Sequence, residues 1–210
     1  MDRKKQAREI IRLLKKSIPE PKTALRFRSV FQILVAAVLS AQSTDVQVNR
    51  ITKTLFRKYR SIKAFAEAPL EELQADVSSV NFYKNKARNI RNSARMIIEE
   101  FGGKVPRTME ELVRLPGVAR KTANIILTDG HGITVGIAVD THVIRLTNRL
   151  GLTTHKDPVK IEQDLLELAP EKDWPVVSHL LILHGRTVCT ARKPKHDECE
   201  LYKICPSRED

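Results

Sequence analysis

Three sets of side chains in this 210-residue sequence have the types and spacing to do chemistry: Lys121, Asp140 and the set Cys189-x6-His196-x2-Cys199-x5-Cys205. An amine is a nucleophile for a carbonyl-level carbon, with which it forms a Schiff base. A carboxylate across a short gap stabilises positive charge that develops on a sugar carbon. Three thiolates and an imidazole are metal donors. They suit tetrahedral zinc, for which Cys3His is an ordinary set, or an iron–sulfur cluster, where histidine replaces cysteine in some sites; an empty site is the third possibility.

These groups need elements to position them. Lys121 and Asp140 lie within residues 115–140, LPGVARKTANIILTDGHGITVGIAVD. Thr108 and Glu111 are spaced as a capping box, so a short helix runs from about Met109 to Arg114 before Pro116 and Gly117 end it. Pro116 suits the second position of a type II turn, and Gly117 supplies the positive φ of the third. A second helix starts near Arg120 with Ala123, Ile126 and Leu127 on one face. The free N–H groups of Gly117, Val118 and Ala119, together with the positive end of that helix, favour an anion. One DNA phosphate, held without regard to sequence, fits such a hairpin of about residues 109–128. By themselves, Leu115 to Val118 also fit an ordinary helix-turn-helix connection with a solvated lysine. Asp140, directly before the apolar pattern Val143, Ile144 and Leu146, is placed as an N-cap. The cap and a catalytic role are compatible, because capping fixes the carboxylate in place.

The remaining elements are also helical. Residues 2–18 put Ile10, Leu13, Leu14 and Ile18 at helical spacing against a basic face, and Pro19 and Pro21 close this segment. Val30 to Ala41 is apolar nearly all round, as in a buried helix. Thr44 with Gln47 forms a second capping box, opening a helix through Val48, Ile51 and Leu55. Pro69 starts a helix with Leu70, Leu73, Val77 and Val80 at three- and four-residue intervals, and a long helix through Ile90, Ala94 and Ile97 stops at Gly102-Gly103. Asp157-Pro158 is an N-cap and N1 pair, and Pro175 to Gly185 forms the last long helix. Ile133 to Val139 is β-branched and bounded by glycine, so periodicity alone predicts a strand there.

Composition narrows the partners. The formal net charge of +12 favours a polyanion, nucleic acid before membrane, although a basic soluble surface has the same charge. Three cysteines, all in the last 22 residues, argue against a disulfide scaffold and for a local metal site in a reducing compartment. The longest apolar run is too short to span a bilayer and Met1 is followed by charge, so a soluble cytoplasmic protein is expected.

LPGVARKTANIIL followed by VDTHVIRLTNRLGL resembles the helix-hairpin-helix and catalytic segment of the endonuclease III family of DNA glycosylases with lyase activity. SAQSTDVQVNR and LILHGRTVCTARKPK match in family order, so the resemblance covers almost the whole chain from Phe31 onward. It implies an all-α, two-domain helix-hairpin-helix glycosylase fold. A six-helix domain would span 23–135, and a discontinuous second helical domain would join 1–22 to 136–210 and carry the metal loop at 189–205. The active site would lie in the groove between them. On this reading Ile133 to Val139 is an extended connection, and the partner is duplex DNA with damaged bases or abasic sites, bound by a nucleoid-associated monomer.

The resemblance also assigns roles. Lys121 becomes the Schiff-base nucleophile and Asp140 its acidic partner. DNA contacts fall to Leu115, Gly117, Val118, Ala119 and Arg120 of the hairpin and to Arg192, Lys193 and Lys195 near the metal loop, where a merely solvated basic loop is the plainer reading. Gln42 would help fill the hole left by the extruded base, its amide offering both donor and acceptor; otherwise it makes a turn or cap hydrogen bond. Phe82 would wedge between base steps; otherwise it is a core aromatic, and family members often carry leucine there. Cluster-binding members have four cysteines at the tail spacing, so His196 is a departure that leaves a [4Fe-4S] cluster held by Cys189, His196, Cys199 and Cys205 as the first expectation and zinc as the second. The expected activity is removal of oxidised pyrimidines with nicking by β-elimination. The alternatives are a mismatch thymine or uracil glycosylase without a lyase step, and a non-enzymatic DNA-binding module.

Overall fold

A computed structural model describes residues 2–208, and every regular element among them is helical. The chain divides into two compact units, each with its own apolar core. Helix α1 (Arg3–Ser17) belongs to the unit that resumes at Gly136; the other unit is Thr23–Val135.

In the Thr23–Val135 unit, α2 (Val30–Ser40) buries Phe31 and every residue from Ile33 to Leu39. Its all-round apolar sequence follows from being packed on several sides. Around it stand α3 (Asp45–Lys58), α4 (Ile62–Glu67), α5 (Leu70–Asp76) and α6 (Tyr83–Glu100). The long α6 contacts α2, α4 and α5 and turns Ala87, Ile90, Ala94 and Ile97 inward. Phe65, 1% exposed, has the rings of Phe31 and Tyr59 at 5.2 and 5.1 Å between centroids, within the range of favourable tilted aromatic pairs.

The cap at Thr44 is half of what the spacing predicts. Thr44 Oγ1 accepts from the Gln47 N–H at 3.3 Å, but the Gln47 side-chain amide donates to the Ser79 carbonyl instead of returning to the cap. A tertiary partner has displaced the local one, which joins the start of α3 to the loop before α6.

The hairpin forms as predicted. Helix α7 (Met109–Leu112) is capped by Thr108, whose hydroxyl also reaches the Glu111 carboxylate at 3.0 Å. The Val118 N–H donates to the Leu115 carbonyl at 3.0 Å, closing the turn, and Gly117 has φ of 81°. Helix α8 (Arg120–Ile125) then widens into a π-helical segment, Ile126–His131. Periodicity does not foresee this widening, since the same apolar face continues through Ile126 and Leu127. Gly130 lies in the widened stretch, where a Cβ would come within 2.9 Å of Ile33 Cγ2. The wide turn therefore rests on α2 through a missing side chain.

Residues 133–139 form neither helix nor strand, as the resemblance implied and against the periodicity. In the remaining unit α9 (Thr141–Arg149), α10 (Pro158–Leu168) and α11 (Trp174–Thr187) join α1 around a core that includes Ile10, Leu14, Val143, Leu146, Ile161, Leu165, Leu180 and Leu181. Helices α9 and α11 approach closely at Gly185, where a Cβ would meet Leu146 Cδ1 at 3.0 Å and Arg145 Nη2 at 3.1 Å. Among the described residues no helix is long and apolar enough to cross a membrane.

Candidate active site and metal loop

Lys121 is the second residue of α8 and is exposed. No side chain caps α8. Of the hairpin residues expected to meet DNA, Gly117, Ala119 and Arg120 are exposed. The Leu115 and Val118 side chains are 2% and 5% exposed and belong to the core, so only their main chain can take part. The Ser93 hydroxyl donates to the Pro116 carbonyl at 2.9 Å, fixing the turn against α6.

Asp140 is the N-cap of α9. Its Oδ1 accepts from the N–H groups of His142 and Val143 at 2.8 and 2.9 Å. One carboxylate oxygen thus satisfies the helix start and fixes the group, which is half-buried. His142 follows within the same turn. Burial pushes its imidazole below the ordinary histidine range, Asp140 pulls it back up, and Arg145 and Arg186 push it down further.

Gln42 and Phe82 lie in the Thr23–Val135 unit, both exposed, Phe82 by 64%. Phe82 is therefore not the core aromatic that its type suggests by default. Asn81, beside Phe82, donates through its side-chain amide to the Gln42 carbonyl at 2.8 Å.

Cys189, His196, Cys199 and Cys205 all line one cavity of about 200 Å³, with Arg149 and Tyr202 among the other walls. This tests which group fits. A tetrahedral zinc ion with bonds of 2.3 Å to sulfur draws its donors to about 3.8 Å of one another. Among the described residues the donors gathered within 4.8 Å are a different trio, His184, Cys199 and Glu200. The four motif residues stand wider apart around a cavity, which suits a cluster better than a single ion. Arg149 Nη1 lies 3.2 Å from Cys189 Sγ and also donates to the Thr190 carbonyl at 2.8 Å. The guanidinium thus ties the Cys189 side chain and the start of the metal loop to the end of α9.

Sequence reasoning missed Arg149, His184 and Glu200. His184 is 2% exposed, with Nε2 at 3.7 Å from Cys199 Sγ and Nδ1 at 3.4 Å from a Glu200 oxygen. Burial pushes its imidazole down and the Cys199 thiol up. The only available signal was that His184 and Gly185 end an apolar run just before Cys189, and nothing in that spacing predicts contact with Cys199. Arg192, Lys193 and Lys195 are exposed, and Lys195 pairs with Glu198 at 3.1 Å.

The chain is similar to known proteins over nearly its whole length. The model of the HhH-GPD superfamily base excision DNA repair proteins matches residues 35–171. That of the iron-sulfur binding domain of endonuclease III matches residues 189–205. Endonuclease III of Synechocystis is 49% identical over 98% of this chain and 94% of its own length. That of Bacillus subtilis is 47% identical over 89% and 85%. A solved structure of a trapped endonuclease III–DNA covalent intermediate superposes with a TM-score of 0.92 at 41% identity, over 97% of this chain and 96% of that one. A thermostable thymine-DNA glycosylase shares the fold at 21% identity and a TM-score of 0.87, over 97% and 96%.

Proposed function

The chain belongs to the endonuclease III family, and on that premise we propose how its residues carry out the reaction. The protein is a DNA glycosylase and AP lyase of base-excision repair, and its partner is damaged duplex DNA. The observation that carries our assignment is Lys121, exposed in the first turn of α8 immediately after the Leu115–Val118 turn.

A base inside a duplex is reached by extruding its nucleotide, which costs least where the base is damaged or mispaired. Gln42 helps fill the space it leaves, Phe82 wedges between base steps, and the main chain of Leu115 to Ala119 with Arg120 holds a phosphate. As the base departs, C1′ gains oxocarbenium character that the Asp140 carboxylate stabilises. The neutral Lys121 amine attacks C1′, forming the C–N bond as the C1′–base bond breaks and the base leaves with the bonding pair and takes up a proton. The nitrogen then gives up a proton, its lone pair forms the C=N bond as the C1′–O4′ bond breaks, and O4′ is protonated, so the sugar ring opens to a Schiff base. The iminium acidifies C2′. Loss of a C2′ proton sends its electron pair toward C3′, the C3′–O bond breaks, and the 3′ phosphate leaves with the bonding pair. The lysine distinguishes this route from a glycosylase that activates water alone.

Cys189, His196, Cys199 and Cys205 would hold a [4Fe-4S] cluster. When bound, it cross-links a loop that presents Arg192, Lys193 and Lys195 to the phosphate backbone, and it takes part in none of the steps above. The substrates on this reading are oxidised or ring-saturated pyrimidines. Its site of action on this reading is the cytoplasm, at the nucleoid; the net charge of +12 supports the nucleic-acid partner.

The test is Lys121→Ala on a duplex carrying one thymine glycol. Strand nicking is lost while damaged-duplex binding stays within about threefold, since a single exposed lysine contributes only a small part of the phosphate affinity. Undiminished nicking would remove Lys121 from the mechanism.

A further inference from the structure

Gln42 and Phe82 share a backbone state. With φ of 54° and 57°, they are the non-glycine residues of the described chain in the left-handed region. That conformation is strained for an L-residue, and such strain persists where surrounding contacts over-determine it. Neither glutamine nor phenylalanine has the short polar side chain that makes the left-handed region easier for asparagine.

The contacts that hold this state are specific. Asn81 Nδ2 donates to the carbonyl of Gln42 itself at 2.8 Å. The Lys86 ammonium, in a residue only 6% exposed, donates to the carbonyls of Leu39 and Ala41 at 2.8 and 2.5 Å and reaches Ser43 Oγ at 3.4 Å. Both neighbours of Gln42 are therefore tied to one buried cation, and Gln42 to an amide. The same two residues also fix Phe82. Asn81 precedes it in the chain, and the Lys86 main-chain N–H donates to the Phe82 carbonyl at 3.0 Å as the first hydrogen bond of α6. The bond from Gln47 to Ser79 ties the same two loops a third time.

We propose that Asn81 and Lys86 are positioning residues that lock the Gln42 and Phe82 loops together, so that both side chains are held ready for the duplex before DNA arrives. Lys86 is the fixed point, its side chain on one loop and its backbone on the other. Asn81 is the strut between them. Binding then proceeds without ordering two loops, and the preorganisation falls on contacts made only at an opened site. This rests on the reading that Gln42 and Phe82 enter the duplex.

Asn81 is exposed, so Asn81→Ala can be made in the full-length protein without opening the core. Affinity is measured by fluorescence anisotropy for a duplex with a tetrahydrofuran abasic analogue and for the same duplex undamaged. Asn81→Ala weakens abasic-duplex binding about 3- to 10-fold, the equivalent of one net hydrogen bond, and leaves undamaged binding unchanged. In a Gln42→Ala background, Asn81→Ala has a smaller effect than in the parent, because one of the two side chains it positions is gone. Multiplying losses in the double variant, or an equal loss on both duplexes, would overturn the proposal. Lys86→Met gives the same selective loss where its melting curve shows it folded. If Gln42→Ala alone leaves abasic-duplex binding unchanged, the insertion reading fails, and the bracing proposal fails with it for a distinguishable reason.

Discussion

A Cβ on Gly117 would lie 2.8 Å from Nδ2 of Asn89. The hairpin turn thus presses on α6 at the residue whose φ, 81°, already disfavours any side chain. Gly117→Ala incurs both the left-handed strain and the displacement of Asn89, about 1–3 kcal/mol together. We expect a drop of several degrees in Tm, and duplex affinity reduced for damaged and undamaged DNA alike, because a phosphate contact carries no lesion information. Lost affinity only for damaged duplex would contradict this role.

Asp140 combines a structural and a chemical task, and one substitution separates them. Asparagine is as good an N-cap as aspartate, so Asp140→Asn keeps the bonds from His142 and Val143 and changes Tm by less than about 1 kcal/mol equivalent. Base release falls by about 10²-fold or more, the scale on which a positioned carboxylate contributes. A variant with normal base release would leave Asp140 a cap and nothing more.

Stability has a predictable dependence on pH near α9. Burial, the largest influence, holds the folded-state pKa of His142 below its unfolded value. The unfolded chain therefore binds a proton that the folded chain refuses, and stability rises with pH across that window. The contribution is intact above about pH 6.5 and is lost as pH falls from there toward the lowered folded value. Thermal melts from pH 8 to 5.5 should fall less steeply for His142→Gln than for the parent. The slope is reduced but not abolished, since burial pushes His184 the same way. Equal slopes would show that His142 is not the titrating group.

The metal loop gives a compositional test. Purified protein contains about four irons and no stoichiometric zinc. His196→Cys keeps the iron and His196→Ala loses much of it, read by metal analysis and visible absorbance. One zinc per chain would contradict the fit of the wider cavity to a cluster.

What was legible in the sequence was what is local. The Thr108 cap, the Pro116-Gly117 reversal, the Asp157-Pro158 start and the buried α2 each depend on neighbours within a turn or on one period, and each stands where those signals put it. Contacts between distant segments were not legible. Gln47 has the spacing of a capping box, yet a carbonyl 32 positions away takes its amide. His184 and Cys199 are 15 positions apart with no periodic relation. The π-helical widening at Ile126–His131 reflects the fit of Gly130 against Ile33, which no single segment encodes. Asn81 looks like an ordinary loop residue until its partner is seen to be Gln42.

The central claim is that Lys121 forms a covalent bond to the sugar while the lesion is processed. Borohydride added during the reaction reduces a Schiff base to a stable amine, so a protein–DNA adduct should appear on a denaturing gel, and mass spectrometry of its peptides should place the added mass on Lys121. The account predicts that adduct in the parent protein and none in Lys121→Ala. Base loss from the parent with no adduct at all, or an adduct that survives Lys121→Ala, would contradict it.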